Sequence, residues 1–366
     1  MSSVLLIKPG SMGDVVHALP VASAIRRAWP EAALTWVVDP RWAPLLEGNA
    51  AVSSVKHFPR EEFRGAAGWL RAARWYGGLG GLRPDVVVDL QGLLRSALIA
   101  RCSGGKVVCG LGDAREGAGM FYSRSTERLP AEHAVRRYLR VLPLLGIDIP
   151  QDCEFPLPLG SSGSAGLVAP PENYGEERAG DGPMPSGPLR PHGTTGSAPG
   201  YLASQALASQ PGMADGYVVL HPFARGAGKS LGADAIRAAA SEFLSRSSSA
   251  MVIVGVGEVP DGLPERVVNL AGKTTLSGLL GILRGAQFVV SVDSGPMHLA
   301  AAIGVPLLGI HTWSDPRLVG PYREDAWIWQ GGEIRRQNLS LAPLPEKEFS
   351  VGASADVARF AAAQVR

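Results

Sequence analysis

At 366 residues the chain is long enough for two domains, each with its own hydrophobic core. Hydrophobic residues make up 46% and charged residues 19%, an ordinary soluble balance, and no apolar run approaches the ~18 residues that would span a bilayer as a helix. The net charge of +2 is unevenly spread: residues 1–150 hold 19 Lys+Arg against 13 Asp+Glu, a net of +6, and residues 151–366 hold 16 against 20, a net of −4. An electropositive first half favours an anionic partner or surface, with scattered solvated arginines as the equal alternative. Cys102, Cys109 and Cys153 show neither C-x-x-C pairing nor metal-ligand spacing, so they read as buried or incidental thiols.

The opening "MSSVLLIKPG" carries four apolar residues with no basic flank, too short for a signal peptide, and reads as the first strand of a cytoplasmic protein. A turn through Gly10 to Gly13 leads into a helix over 15–28. "ALTWVVD" (33–39), "DVVVDL" (85–90) and "GKVVCGL" (105–111) are further strands separated by helical stretches, which predicts a doubly wound parallel sheet over 1–159. "FRGAAGWLRAARWYGGL" (63–79) mixes Arg64, Arg71 and Arg74 with Trp69, Trp75 and Tyr76. Such a helix suits an anionic membrane surface, or equally turns its tryptophans inward.

Residues 160–212 hold 11 Gly, 8 Pro and 7 Ser, too little apolar surface to offset chain entropy, and are expected to be a disordered insertion or linker. Alternation resumes over 213–345, with strands at 217–221, 250–257, 288–293 and 306–312 and helices near 233–245, 275–284 and 296–303. A final helix fills the tail (346–366), with Ser354 as its expected N-cap and a possible return onto the first domain. Two α/β halves of this kind leave a cleft between them.

Four loops carry candidate chemistry. In "IKPGSMGDVVHALP" (7–20), Gly10 and Gly13 permit close backbone approach, and Asp14 is either a helix-capping carboxylate or a general base in the cleft. "HPFARGAGKS" (221–230) ends like a triphosphate-binding loop, but Phe223 stands where the first glycine belongs, so Lys229 serves some other phosphate beside a helix start. "VGVGEVPD" (254–261) puts Glu258 past a strand, as a ribose ligand or a solvated loop residue. Pro260 breaks the dinucleotide glycine pattern there. "VVSVDSGPMHLAAAIGVP" (289–306) runs a strand into Asp293, Ser294 and Gly295, then Pro296 at the first helical turn. This is an anion-binding turn beside a carboxylate, with His298 as a core or a site histidine.

Together, "LLIKPGSMGDVVHALP", "HPFARGAGK" and "VVSVDSGPMHLAAAIGVP" strongly resemble the ADP-heptose:lipopolysaccharide heptosyltransferases of glycosyltransferase family 9, the first motif looking most like the heptosyltransferase I branch. The resemblance covers 1–150 and 215–325 but not the insertion. It implies a GT-B fold, with two Rossmann-like domains flanking a cleft, the acceptor on the first and the nucleotide sugar on the second. By the same resemblance Asp14 matches the catalytic base and Lys8 a basic position near the site. Lys229 matches the lysine on the leaving diphosphate, which makes a metal or other cofactor unnecessary. Asp293 matches the sugar-hydroxyl ligand, Ser294 and Gly295 the diphosphate-binding backbone, and His298 the histidine of that motif. Glu258 matches loosely a ribose ligand and Thr274 a position near adenine. "DLQGLLRSAL" (89–98) and "DAREG" (113–117) resemble acceptor segments, giving Gln91, Arg95 and Arg115 alongside Gly13. Phe223 and Ala224 replace the family's hydroxyl residues, so Arg225 and Ser230 are expected to share the phosphate contact.

The implied reaction is inverting transfer of L-glycero-D-manno-heptose from ADP-heptose to a Kdo residue of Kdo-lipid A. The expected enzyme is a monomer peripheral to the cytoplasmic face of the inner membrane, with no nucleic-acid partner. Another family 9 sugar or acceptor, a GT-B-like epimerase or hydrolase, and a non-catalytic binding protein are the alternatives.

Overall fold

The computed structural model describes residues 1–65, 67–128, 131–158, 213, 215–226, 228–340 and 342–365, so the Gly-, Pro- and Ser-rich stretch 160–212 lies outside the described residues. The first half builds a six-stranded, all-parallel sheet in the order β3-β2-β1-β4-β5-β6, from β1 (Ser3–Ile7), β2 (Ala33–Val38), β3 (Ser54–His57), β4 (Val86–Asp89), β5 (Val107–Gly110) and β6 (Arg124–Ser125). Its central strands are aliphatic and buried on both faces, which suits a sheet covered by helices on both sides. Those helices are α1 (Met12–Ala28), α2 (Gly68–Gly77), α3 (Leu94–Cys102) and α4 (Ala134–Leu139).

The second half repeats the plan. Its sheet runs β13-β12-β11-β10-β7-β8-β9, from β7 (Tyr217–His221), β8 (Ala250–Ile253), β9 (Val267–Asn269), β10 (Phe288–Val292), β11 (Leu307–Ile310), β12 (Trp327–Gln330) and β13 (Glu333–Arg336). Only β13 is antiparallel, folded onto β12 by a two-residue turn in which Gly331 and Gly332 both take positive φ. Helices α5 (Ala233–Leu244), α6 (Leu276–Gly285), α7 (Gly295–Ile303), α8 (Pro316–Val319) and α9 (Val351–Gln364) complete it. In each sheet the strand order reverses once, between β1 and β4 and between β7 and β10. Ligands of doubly wound sheets gather at such a reversal, beyond the carboxyl ends of the strands. All four candidate loops start there or one strand away.

Two expectations are corrected. Ser350, not Ser354, caps α9, accepting from the Ala353 amide at 3.1 Å; Ser354 lies inside the helix and donates to the Ala235 carbonyl at 2.5 Å. Among the described residues the same helix packs on the second domain. Its small apolar stripe, Val357, Ala358 and Ala361, packs into the second core with Ala239 and Phe243 of α5. The physical reason is complementarity: alanines on both helices permit a close approach that sequence periodicity alone cannot assign to a partner. The helix read from residue 15 also starts earlier, at Met12.

The halves meet through α1 and α7, and one buried apolar cluster runs from Val4, Leu6 and Leu19 across to Val219, Met297 and Leu299. Two glycines make that approach possible. A Cβ at Gly13 would sit 2.6 Å from the His298 ring, and one at Gly295 would sit 2.4 Å from Met12 Sδ. Each domain thus offers a glycine to a side chain of the other.

Candidate active site

β1 ends at Ile7, so Lys8 emerges at the carboxyl edge of the first sheet, and α1 begins four residues later. Asp14 occupies the third position of α1 and accepts from both the amide (2.9 Å) and the hydroxyl (3.0 Å) of Ser11 through Oδ2. Its capping role is therefore real. Its other oxygen faces elsewhere: Oδ1 accepts a 2.7 Å hydrogen bond from the Tyr138 hydroxyl of α4 and lies 3.6 Å from Lys8 Nζ. Burial pushes the Asp14 carboxyl upward, but Lys8 and the bonds from Tyr138 and Ser11 outweigh it and leave it below the usual carboxylate range. The side chain still keeps 36% exposure, so an ionised carboxylate sits deep in the cleft yet reachable. Lys8 is buried, also donates to the Leu90 carbonyl at 3.4 Å, and stands 4.8 Å over the Tyr138 ring. Burial pulls its ammonium below the ordinary lysine value, with Asp14 acting in the opposite sense.

Facing this group, Lys229 donates to Asp293 Oδ2 at 2.7 Å and stands 4.2 Å over the Trp313 ring. Burial acts first to raise the Asp293 carboxyl, but His311, His298 and Lys229 together hold it low. Both histidines are themselves pulled down by burial, His311 to about 4, so near neutral pH Lys229 is the cation that keeps Asp293 ionised. The turn bearing Lys229 uses positive φ at Gly226 and Gly228, and Ser230 fastens it by accepting from the Ala224 amide at 2.9 Å and donating to its carbonyl at 3.1 Å. The Ser230 hydroxyl is therefore engaged within the loop, while Arg225 is exposed. Ser294 caps α7, its hydroxyl 3.1 Å from His221 Nδ1, and no described group accepts from the Ser294 or Gly295 amides.

His298 joins the two groups. Its Nδ1 is 3.0 Å from Nε2 of His17 on α1, and its ring is influenced electrostatically by Asp293, Asp14 and Lys229 alike. Of its two sequence readings, core and site, burial fits the first, and the ring lies where the two domains meet. His133 adds a second tie: its Nδ1 accepts from the Val135 amide at 3.2 Å, so Nε2–H donates to the Gly320 carbonyl of the other domain at 3.0 Å.

In the first domain, buried Asp89 accepts from the Gln91 and Gly92 amides, Ser96 and Tyr122, and shapes the loop after β4. Gln91 Oε1 is buried without a hydrogen-bond partner among the described residues. Half-buried Arg95 starts α3, and the exposed Arg115 is anchored by its amide to the Gly92 carbonyl at 2.8 Å. Glu258 is exposed after β8 and Thr274 half-buried before the true α6 cap, Thr275. No described contact links either to the Lys229–Asp293 pair. Sequence reasoning missed Tyr138, Arg137, which pairs with Asp113, and the tying histidines His17 and His133. Nothing in the letters of "EHAVRRYLRVL" distinguishes a site tyrosine from a core one.

A family model described as "Glycosyltransferase family 9 (heptosyltransferase)" matches residues 73–161 and 245–340, flanking the undescribed stretch. The chain is 30% identical over 328 residues to lipopolysaccharide heptosyltransferase 1 of Pseudomonas aeruginosa, covering 87% of this chain and 81% of that one. It is 28% identical over 371 residues to the protein of that name in Escherichia coli K12, covering 95% and 99%. Its fold is that of E. coli heptosyltransferase WaaC, solved with ADP (TM-score 0.71, 24% identity, 99% of both chains) and with ADP-2-deoxy-2-fluoro heptose (TM-score 0.67, 24% identity, 97% and 98%). The architecture is therefore GT-B. With the family model spanning half of the chain and a relative at 30% identity matched over most of its length, this chain belongs to glycosyltransferase family 9 and is a glycosyltransferase.

Proposed function

We propose that the enzyme transfers L-glycero-D-manno-heptose from ADP-heptose to a Kdo residue of the lipopolysaccharide inner core, with inversion at the anomeric carbon. The observation that carries this reading is His298 standing between an ionised carboxylate from one domain and a lysine–carboxylate pair from the other. The relatives' names supply the sugar, and the WaaC complex with ADP-2-deoxy-2-fluoro heptose supports the donor.

In this mechanism the acceptor hydroxyl oxygen attacks the anomeric carbon as the bond to the donor phosphate breaks, and its proton passes to Asp14. A carboxylate held below the ordinary range is a weak base but an ionised one. The hydroxyl becomes acidic only as its bond to carbon forms, so the proton moves late. Lys229 leaves Asp293 for the departing diphosphate, assisted by the Ser294 and Gly295 amides at the start of α7 and by Arg225. Asp293, released, accepts from sugar hydroxyls. Glu258 and Thr274 complete the nucleoside side, whereas Gly13, Gln91, Arg95 and Arg115 line the acceptor side. The cation and amides carry the leaving-group charge, so no metal is required. Incubation with ADP-heptose and Kdo-lipid A tests the reading: a product heavier by one heptosyl unit, stoichiometric ADP, and inverted anomeric configuration by NMR are expected. ADP release without a heptosylated product would overturn it.

A further inference from the structure

Beside the Lys229–Asp293 pair stands an aromatic ring that the chemistry above does not use. Trp313 lies in the loop after β11, at the carboxyl edge of the second sheet, and is 49% exposed. Its loop is pinned on both sides of the ring. The His311 amide donates to the Trp329 carbonyl at 2.9 Å, and His311 Nδ1 lies 3.0 Å from the Ser314 hydroxyl. The Thr312 carbonyl accepts from the Lys347 amide at 3.2 Å, and Asp315 caps α8 by accepting from the Arg317 amide at 2.9 Å. His311 and Ser314 are buried. Trp313 is therefore left outside by the way the loop is held, not by slack in it.

What the ring meets is Lys229. The ammonium stands 4.2 Å over the ring while it donates to Asp293 Oδ2 at 2.7 Å. Two further bonds keep ring and lysine in register. The Asp293 amide donates to the Ile310 carbonyl at 3.1 Å, so the loops after β10 and β11 leave the sheet side by side. The Thr312 hydroxyl donates to the Gly228 carbonyl at 3.3 Å, fastening the residue before Trp313 to the residue before Lys229. The two attractions on the ammonium differ in kind. Asp293 holds it by a full charge, which an arriving diphosphate must outcompete. The ring holds it through a quadrupole that carries no net charge and stays in place when the carboxylate lets go. Without such a face, the flexible lysine stem would spread over many rotamers on leaving Asp293.

We propose that Trp313 is a positioning residue for Lys229, its ring face carrying the ammonium from Asp293 to the donor diphosphate and keeping it there as the leaving group departs. In this role the ring touches neither phosphate nor sugar and acts only through the lysine. The inference rests on the proposed function for the diphosphate as the partner of Lys229. The coupling of ring to lysine is read from ADP binding, which needs neither acceptor nor turnover.

The test is a double-mutant cycle in the full chain, with Trp313→Leu and Lys229→Met singly and together. ADP affinity is read by calorimetry, and kcat with ADP-heptose and Kdo-lipid A. Trp313→Leu is expected to lose roughly three- to thirtyfold in each, the range of a cation–π contact from exposed to desolvated. Lys229→Met alone is expected to lose more, and adding Trp313→Leu to it to change neither quantity further. Trp313→Phe keeps a weaker ring, so it should show a smaller loss that also vanishes in the Lys229→Met background. That variant completes the cycle should leucine lower the melting temperature. Losses that multiply in the double variant would overturn the proposal, as would full ADP affinity and turnover in Trp313→Leu. Weakened ADP-heptose binding with ADP binding intact would overturn it too, because the ring would then touch the sugar itself. Unaltered ADP affinity in Lys229→Met would remove the lysine from the diphosphate, and the proposal with it. If the cycle couples as expected but no heptosyl unit is ever transferred, the transfer reading fails and the positioning role stands.

Discussion

The Tyr138 hydroxyl donates to Asp14 Oδ1 at 2.7 Å, across 124 residues of sequence, and makes α4 a support for the carboxylate at the mouth of α1. Burial first, and then Asp14, push the Tyr138 hydroxyl far above its ordinary value, so it remains a donor throughout the neutral range. Tyr138→Phe removes one of the bonds that hold Asp14 low. The acid limb of the kcat/KM profile is therefore expected to move to higher pH, with a loss of about ten- to a hundredfold, since a hydrogen bond to a charged group contributes about 1.5–3 kcal/mol. A profile that only falls, without moving, would reduce Tyr138 to packing.

Asp14→Asn keeps the shape and the Ser11 contacts while deleting the base. Turnover is expected to fall by about 10²–10⁴, the usual range for a positioned general base, with ADP binding by calorimetry unchanged. Retained turnover would remove Asp14 from the reaction.

Lys229→Met should cost about 10²–10³ in kcat, the scale of losing one preorganised charge on a developing anion. It also leaves Asp293 without its nearest cation, so that carboxyl is expected to rise and its stabilising contribution to be lost at a higher pH than in the wild type. EDTA is expected to leave wild-type turnover unaltered.

Gly295→Ala drives a methyl group into Met12 Sδ, the flexible end of a side chain, and Gly13→Ala drives one into the stiffer His298 ring. The second is expected to be the more damaging, by about 1–3 kcal/mol of domain packing, read as a lower melting temperature and a raised donor KM. Met12→Ala should rescue Gly295→Ala but not Gly13→Ala. Equal rescue of both would show that the contacts are not the cause.

Acid sensitivity follows from the buried histidines. Burial pulls His133 from 6.5 to about 4, His311 to about 4 and His221 to about 3. A folded value below the unfolded one means that the unfolded chain binds the extra proton, so stability is full above 6.5 and declines as pH falls towards 4. His133 alone accounts for roughly 3 kcal/mol across that window. The melting temperature of His133→Asn is expected to fall less steeply between these pH values than that of the wild type.

Much of the architecture is legible in the letters because strands such as "SVLLI" and "FVVSV" bury both faces, and that pattern admits few alternatives. Gly226, Gly228 and Gly304 likewise announce turns that need positive φ. Helix starts were less legible. Met12 and Gly295 begin helices from caps that overlap the candidate loops, and the expected cap Ser354 proved to be a buried residue inside a helix that Ser350 caps. Exposure divided Trp69 from Trp75, which stand on one helix and have the same composition around them.

By itself the sequence determined the alternation of strands and helices, the two groups of loops at strand ends, and the residues Asp14, Lys229 and Asp293 within them, because each of these depends on neighbours a few positions apart. Only tertiary structure decided which of them meet. His17, His133 and His298 acquire their roles where the two domains meet through α1 and α7 and a pair of glycines, and Tyr138 acquires its own where α4 packs on α1. Such contacts join residues up to 281 positions apart, and no local propensity encodes them.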